Sequence, residues 1–224
     1  MKTYLTPLLA LSLLSSIASA ELVKSYFKTG ELKVATNYID GTNTKLKIGI
    51  RDGIEKVYYQ IGKIANEVNY VKEKRDGKMT WYHKQGWVVK TLNYKLGKLD
   101  GDEITYYKNG KIKNISHYKN DFREGDKKSF FKNEKLASII NYTHGKKEGM
   151  QKEYTPNGKL YTEVMYKNNY KEGTQKWYDK NSKVTNEIFY KMDRPLKIMK
   201  KVQDKDLSQV TITHIDFSPQ KMRE

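Results

Sequence analysis

The sequence predicts an all-β fold, an elongated single-sheet array of tandem antiparallel β-hairpins. Three observations support this prediction. Only 37% of the 224 residues are apolar and the mean hydropathy is -0.85, which is too polar for a thick core. Aromatic residues nevertheless reach 12%, including 18 tyrosines, a residue type enriched in strands. Glycine and tyrosine also recur at a fixed spacing of 24 residues, and such an internal period indicates a repeat architecture.

The charge and the cysteine content narrow the possible classes of protein. The chain has no cysteine, which excludes a disulfide scaffold, a thiolate metal site and a cysteine nucleophile. Its 43 lysines and arginines against 26 aspartates and glutamates give a formal net charge of +17. A surface of this kind attracts anionic partners. Acidic phospholipid, lipopolysaccharide or another anionic polymer is therefore the first ligand class to consider.

Residues 1–20 have the pattern of a signal peptide. Lys2 forms a short basic region, a mainly apolar run extends from Leu8 to Ile17, and small residues at Ala18 and Ala20 mark a cleavage site. An apolar run of about ten residues is shorter than the roughly 20 that span a bilayer. We expect cleavage after Ala20, export to the periplasm, cell surface or exterior, and a mature chain without a transmembrane helix. Export also makes nucleic acid a poor candidate partner.

Six copies of the repeat follow one another without a gap from residue 53. Each begins with a glycine, has an aromatic residue five positions later and an aliphatic residue eleven positions later, and has a tyrosine seventeen positions later. We interpret the glycines as turn residues and the tyrosines as residues that build a sheet face. These structural residues are Gly53, Gly77, Gly101, Gly125, Gly149 and Gly173, with Tyr70, Tyr94, Tyr118, Tyr142, Tyr166 and Tyr190.

Each copy has the pattern of a β-hairpin, in which two strands flank a turn. In the third copy the turn is Lys108-Asn109-Gly110. A three-residue loop closed by a left-handed Gly110 pairs Tyr106 with Ile112. Since side chains alternate along a strand, we expect Tyr106 to join Ile112 and Tyr118 on one face.

Two copies depart from the pattern of the loop. Glu134 and Ser182 stand where the other loops have glycine. A left-handed conformation is costly for residues with a side chain. We therefore expect these two turns to be strained or differently built.

The ends of the array are less regular. An earlier copy carries Tyr26, Gly30, Leu32 and Tyr38 at matching positions, and an insertion at about 39–52 separates it from the six others, so the repeats span residues 21–191. Beyond this region Pro195 interrupts the pattern. We interpret residues 192–224 as an irregular cap and a frayed tail. Residues 210–217 alternate like a last strand.

The repeat units resemble the bacterial variant of the MORN repeat. The resemblance rests on units such as Gly101 to Tyr118, with Tyr106-Tyr107-Lys108-Asn109-Gly110-Lys111, and Gly149 to Tyr166, with Pro156-Asn157-Gly158-Lys159-Leu160. The chain is also similar to the YwqK-type antitoxin group of repeat proteins. The resemblance implies an extended, twisted hairpin array that acts as a scaffold or binding surface without a known catalytic centre. It further implies membrane-proximal scaffolding and, in some members, acidic phospholipid binding.

The sequence contains no recognisable catalytic or metal-binding motif, and we predict no catalytic residue, metal or cofactor. The histidines occupy different repeat positions without ligand spacing; they are His83, His117, His144 and His214. Glu67, Glu163 and Glu187 recur fourteen residues after the glycine and should lie in a row on one face. Cross-strand pairing with lysine explains them better than acid–base catalysis.

Aromatic residues outside the repeat consensus are the candidate binding residues. Flat rings beside cations suit sugars, lipid headgroups and protein partners. The candidates are Trp81, Trp87, Trp177, Tyr59, Tyr107, Phe131 and Tyr170. The leading hypothesis is an exported non-enzymatic scaffold that binds a protein or an anionic envelope surface. The alternatives are a carbohydrate or cell-wall binding module and a secreted host-interaction factor.

Overall fold

A computed structural model describes residues 20–39 and 49–200. Most of the predicted insertion, at residues 40–48, lies outside this part of the chain. The predicted signal peptide up to residue 19 and the predicted tail from residue 201, including the strand expected over 210–217, also lie outside it. The described residues form one open antiparallel sheet without a helix, as the repeat pattern predicts, and hence contain no helix able to cross a membrane.

The sheet contains 18 strands, numbered in chain order. The first nine are β1 (Ala20–Tyr26), β2 (Leu32–Ile39), β3 (Ile50–Tyr58), β4 (Ile64–Val71), β5 (Lys74–Tyr82), β6 (Val88–Lys95), β7 (Lys98–Leu99), β8 (Gly101–Tyr106) and β9 (Ile112–Lys119). The others are β10 (Phe122–Arg123), β11 (Gly125–Phe130), β12 (Leu136–Thr143), β13 (Lys146–Tyr154), β14 (Leu160–Lys167), β15 (Tyr170–Lys171), β16 (Gly173–Tyr178), β17 (Val184–Lys191) and β18 (Arg194–Lys200). The strands pair in chain order, so the array is a meander.

The predicted three-residue loop is present in the hairpins. In the third copy, the Tyr107 N–H donates to the Lys111 carbonyl at 2.8 Å and the Gly110 N–H donates to the Tyr107 carbonyl at 2.9 Å. Gly110 has φ +81° and Tyr106 pairs with Ile112, as predicted. The earlier copy forms the same turn at Phe27–Glu31, closed by Gly30.

The loops with Glu134 and Ser182 are built in the same way as the others. The Glu134 N–H donates to the Phe131 carbonyl at 2.9 Å and the Ser182 N–H donates to the Asp179 carbonyl at 3.0 Å. Their φ angles are 67° and 63°, in the left-handed region that favours glycine. Of the two predicted alternatives, strain is therefore the one found.

The repeat glycines do not form the turns, contrary to our interpretation. Each lies in the first strand of its hairpin with φ between 81° and 111°. Each also pairs directly with the tyrosine seventeen residues later, as in Gly77 with Tyr94. The same pairing occurs in the other five copies. The two residues that define the repeat are thus cross-strand partners, and the left-handed conformation requires the glycine.

The prediction that both tyrosine rows share one face is wrong. Thr105 pairs with Asn114 while Tyr106 pairs with Ile112, so Lys113 is an extra residue that forms a bulge. A bulge reverses the alternation of side chains, and each repeat has one at this point. In the second copy the Tyr82 hydroxyl donates to the Glu67 carboxylate at 2.6 Å. Glu67 lies three residues from Tyr70 and therefore faces the other way.

The two faces of the sheet consequently differ. The tyrosine face carries the structural tyrosines and most of the buried side chains, including a cluster of Val68, Tyr70, Met79 and Leu92. The opposite face carries the other aromatic row and the glutamate row. Val68 is 2% exposed, and no side chain in the described residues is less exposed than that. The core is therefore thin, and each hairpin depends on its neighbours for burial.

Two-residue turns connect consecutive repeats. In the first of them, Lys72 and Glu73 have φ angles of 47° and 70°, and Val71 pairs with Lys74. Positive φ at both central residues is the mark of a type I′ turn, which matches the twist of the strands. All these turns lie at the edge opposite the three-residue loops. We call it the far edge.

The sheet continues beyond Tyr190, where the sequence pattern ends. β18 pairs with β17, and Pro195 lies opposite Tyr190. The cap expected from residue 192 thus begins with a strand that pairs with β17 through one register shift, between Phe189 and Tyr190. β18 is the last strand of the described residues, and proline is tolerated in an edge strand because its missing N–H is not needed there.

Candidate functional site: the lysine edge

The three-residue loops of consecutive hairpins lie side by side along one edge of the sheet. Successive loops are two strands apart, and strands are spaced by about 4.8 Å, so the loops repeat at about 10 Å. Contacts between the loops are direct. The Gln60 side-chain amide donates to the Thr29 hydroxyl at 3.0 Å. The Lys63 ammonium donates to the Gln85 carbonyl at 3.3 Å.

This edge is strongly basic. We define the lysine edge as the seven loops at 27–31, 59–63, 83–87, 107–111, 131–135, 155–159 and 179–183. They contain only three acidic residues, Glu31, Glu134 and Asp179. They contain ten lysines, which are Lys28, Lys63, Lys84, Lys108, Lys111, Lys132, Lys135, Lys159, Lys180 and Lys183.

Two of the three acidic residues are engaged by their own surroundings. Glu134 pairs with the Lys111 ammonium at 2.8 Å. Asp179 accepts the backbone N–H groups of Lys183 and Asn181, and these hydrogen bonds lower its pKa. Lysines outnumber acidic residues in every loop of the edge except the one at 27–31, where Lys28 and Glu31 balance.

The lysines of the edge occupy two positions with different roles. The last residue of several loops is a lysine that reaches the next loop, as Lys135 does to the Asn157 carbonyl at 3.1 Å. In five of the seven loops the second residue is also a lysine, which lies at the tip of the loop. Lys84, Lys108 and Lys132 occupy this position in three consecutive repeats and are exposed. These tip lysines are the groups best placed to meet a partner.

Four of the seven candidate aromatics lie on the lysine edge, and three of them contact the neighbouring repeat. The Tyr59 hydroxyl donates to the Tyr82 carbonyl at 2.8 Å, and the Tyr107 hydroxyl donates to the Phe130 carbonyl at 2.7 Å. Trp87 stacks on His83 with ring centroids 3.9 Å apart. The Lys108 ammonium lies 5.1 Å from the Trp87 ring centroid. Phe131 is half-buried at the first loop position, which Tyr59 and Tyr107 occupy in other repeats.

The other three candidates lie elsewhere. Trp81 and Trp177 occupy the same repeat position on the tyrosine face, four repeats apart; Trp81 is exposed and Trp177 is half-buried. Tyr170 is exposed at the far edge. The fold thus separates residues that the sequence suggested as one set, since Trp81 and Trp177 lie in strands on the tyrosine face and Tyr170 lies at the far edge.

The recurrent glutamates face lysines across the strands, as predicted. Glu67 lies opposite Lys56, Glu163 lies opposite Lys152 and Lys176, and Glu187 lies opposite Lys176. Two of them also accept a phenol hydrogen bond. The hydroxyls of Tyr82 and Tyr178 donate to Glu67 and Glu163, both at 2.6 Å. Burial and this carboxylate contact raise the pKa of Tyr82 and of Tyr178 to about 12.

Cations also cover the tyrosine face, a feature that sequence reasoning missed. The Arg51 guanidinium lies 4.3 Å from the ring centroid of Tyr70, and Arg123 lies 5.5 Å from both Tyr118 and Tyr142. Arg75, Lys147 and Lys171 make the same contact with Tyr94, Tyr166 and Tyr190. The sequence could have revealed this feature, because a lysine or arginine lies two residues before every repeat glycine except Gly101, where the residue is Leu99.

A row of carboxylates supports the turns of the far edge and was also missed. Each lies directly before a repeat glycine and accepts the N–H of the first central turn residue of the following repeat. Glu124 accepts from His144 at 2.8 Å and Asp76 accepts from Leu96 at 3.0 Å. The remaining members are Asp52, Asp100, Glu148 and Glu172. Six acidic residues at one repeat position could have revealed the row.

The histidines do not form a common site. His83 stacks on Trp87, and His117 contacts the Asp102 carboxylate at 2.6 Å. His144 is a central residue of a far-edge turn. His214 lies outside the described residues. In residues 20–39 and 49–200, no three histidine, aspartate or glutamate side chains come together as a metal site would require.

The sequence of the chain matches one protein family. The family described as MORN repeat variant matches six consecutive segments, at residues 51–72, 75–96, 99–120, 123–144, 147–168 and 171–192. No curated protein is significantly similar to the chain. One similar solved structure is described as "Crystal structure of GtfA/B complex bound to UDP and GlcNAc", at 11% identity and a TM-score of 0.24. The match covers 48% of this chain and 21% of that one.

Proposed function

Because the chain belongs to the MORN repeat variant family, we propose that it is an exported, non-enzymatic repeat scaffold whose lysine edge binds an anionic envelope surface. MORN repeats are generally binding modules. One observation carries the proposal: the fold collects ten lysines and only three acidic residues in the loops of one edge. A row with a repeat of about 10 Å can meet many anionic groups at once.

The strength of such binding follows from electrostatics. A basic residue close to an acidic membrane surface contributes about 1 kcal/mol. Several tip lysines acting together suffice for stable association without any apolar insertion. Salt screens these interactions, with a Debye length of about 8 Å at physiological ionic strength. Binding should therefore weaken as salt is raised.

The non-enzymatic part of the proposal rests on what the recurrent polar groups do. The carboxylates of the far edge accept turn N–H groups, and two glutamates of the opposite face accept tyrosine hydroxyls. These groups join one repeat to the next. Their repetition along the array is typical of structural contacts, since a catalytic centre needs a single convergent set of groups.

Export is proposed from the pattern of residues 1–20. A small residue at positions 18 and 20 directs cleavage after Ala20. The mass of the mature protein recovered from its natural host should correspond to a chain that starts at Glu21. Recovery of the intact chain from Met1 in the cytoplasm would contradict this part of the proposal.

Vesicle co-sedimentation tests the proposed binding. The mature chain should bind vesicles of phosphatidylglycerol and phosphatidylcholine at low salt, bind less at physiological salt, and not bind pure phosphatidylcholine. The triple variant Lys84→Glu/Lys108→Glu/Lys132→Glu reverses three tip lysines. We expect its affinity for the acidic vesicles to fall at least about tenfold.

A matched variant separates the edge from the total charge. Lys95→Glu/Lys119→Glu/Lys167→Glu changes the net charge by the same amount at exposed positions of the far edge. It should retain most of the binding. Equal losses in the two variants would contradict a role for the lysine edge. No binding of the unmodified protein to acidic vesicles would reject the lipid surface and leave a protein or glycan partner.

A further inference from the structure

A groove on the opposite face of the sheet is not used by the proposed function. It has a volume of about 760 Å³, within the range of roughly 300–1,000 Å³ that is usual for small-molecule sites. Its lining includes the two tyrosines Tyr82 and Tyr106, which occupy the same position in consecutive repeats. Thr91 lies on β6, between the strands of the two tyrosines, and Thr80 lies beside it on β5; both threonines are buried.

The groove exists at this point of the array because the second repeat has small side chains there. Thr80 and Thr91 are directly opposite each other on β5 and β6. In the other five in-register repeats the equivalent cross-strand pairs all contain longer side chains. These pairs are Lys56 with Glu67, Ile104 with Ile115, Lys128 with Ile139, Lys152 with Glu163, and Lys176 with Glu187. The threonine pair is thus a local gap in an otherwise filled row.

The chemistry of the lining indicates the ligand. The Glu67 carboxylate and the Lys78 ammonium carry opposite charges, so the groove does not select an ion of either sign. The Asn69 amide already donates to the Asp76 carbonyl at 3.1 Å, so the Thr80 and Thr91 hydroxyls are the polar groups left to exchange hydrogen bonds with ligand hydroxyls. Ile54 and Val88 add apolar contact area, but a purely hydrocarbon ligand would give the two threonine hydroxyls no partner. Flat aromatic rings beside a polar floor favour a ligand with both C–H and O–H faces.

We propose that the groove between Tyr82 and Tyr106 binds a neutral saccharide unit. Each sugar ring presents hydroxyls to the threonine floor and Glu67, and its C–H groups to the tyrosine rings. The groove reaches the loop at 107–111 through Gly110, but its lining includes no lysine of the lysine edge. Binding in the groove should be insensitive to salt and unchanged in the Lys84→Glu/Lys108→Glu/Lys132→Glu variant.

Titration of the isotope-labelled mature chain tests the site, with glucose, galactose and N-acetylglucosamine as separate probes at millimolar concentration. At least one sugar should shift backbone amide resonances of residues 78–82, 88–92 and 104–106 and leave other repeats unchanged. Thr91→Ile should abolish these shifts, because it places in the gap the side chain that Ile115 and Ile139 supply in the next repeats. Thr91→Val keeps the shape and removes one hydroxyl, so affinity should fall about tenfold.

Thr143→Ile is the matched control, since it makes the same chemical change at an exposed turn-flanking position outside the groove. It should bind sugar as the unmodified protein does. The proposal is overturned if none of the three sugars shifts the groove amides. It is also overturned if folded Thr91→Ile or Thr91→Val binds with unchanged affinity.

Discussion

Left-handed backbone conformations in this protein are not confined to glycine. Two residues with side chains, Glu134 and Ser182, adopt them in the three-residue loops, and ten others do so in the two-residue turns. Such a conformation costs a non-glycine residue roughly 1–2 kcal/mol. The array therefore carries local strain that contacts between repeats must offset.

Replacing a loop glycine should reveal this cost directly. Gly110 has φ +81°, and nothing lies within 4 Å of a Cβ placed there, so Gly110→Val changes the backbone preference without a clash. We expect the free energy of unfolding in urea to fall by about 1–3 kcal/mol. Lys132→Val, at the exposed tip of the next loop, should change it by about 0.5 kcal/mol or less. The opposite substitution, Ser182→Gly, should raise it by about 1 kcal/mol. Equal urea midpoints for all three variants would show that strain is not the cause.

The far-edge turns show how one repeat stabilises an element of the next. In each turn the N–H of the second central residue donates to a carbonyl of the preceding repeat, as Gly97 does to Arg75 at 2.8 Å. The N–H of the first central residue donates to a carboxylate of the same preceding repeat, as Leu96 does to Asp76. Both N–H groups of the strained turn after β6 thus have partners on β5, the strand that pairs with β6.

Removal of one carboxylate tests this support. Asp76→Ala leaves the Leu96 N–H to water, and we expect the free energy of unfolding to fall by about 1 kcal/mol. Amide hydrogen exchange should accelerate at Leu96 but not at Asn120, which donates to Asp100 in the next turn. Asp76→Asn retains an acceptor oxygen and should have a smaller effect. Unchanged exchange at Leu96 in Asp76→Ala would show that the carboxylate does not support the turn.

At the scale of the whole molecule, the array is a linear repeat in which each hairpin contacts only the hairpins before and after it. The alternation of side chains has period two, whereas the repeat has period 24, so whole repeats preserve the faces. The tyrosine face, the opposite face and the two edges are continuous for this reason. Stability should accordingly depend on the number of intact repeat junctions.

Deletion of one repeat tests this property. Removal of residues 101–124 joins two equivalent positions, and we expect a folded protein with a lower urea midpoint and unchanged β-sheet circular dichroism. Removal of residues 101–123 leaves one extra residue and shifts every later side chain relative to its neighbours. That variant should lose cooperative unfolding or aggregate. Equal stability of the two deletions would contradict a shared register along the sheet.

Much of this organisation was predictable from local patterns. The spacing of Gly110 from Tyr106 and Ile112 predicted the loop and its pairing, and both are present. The glutamate row predicted cross-strand lysines. The bulge at Lys113 was not predictable, because no residue type marks an unpaired strand position as clearly as glycine marks a turn. That single residue per repeat sends Tyr82 and Tyr70 to different faces.

The repeat period, the hairpin loops and the all-β class follow from the chain alone, since they depend on residues close in sequence. The lysine edge and the groove were decided by the tertiary structure. The lysines of the edge are spread over more than 150 residues, from Lys28 to Lys183, and only the side-by-side pairing of hairpins brings them into one row. Likewise, Thr80 and Thr91 form a gap only because longer side chains fill the same position on the neighbouring strands.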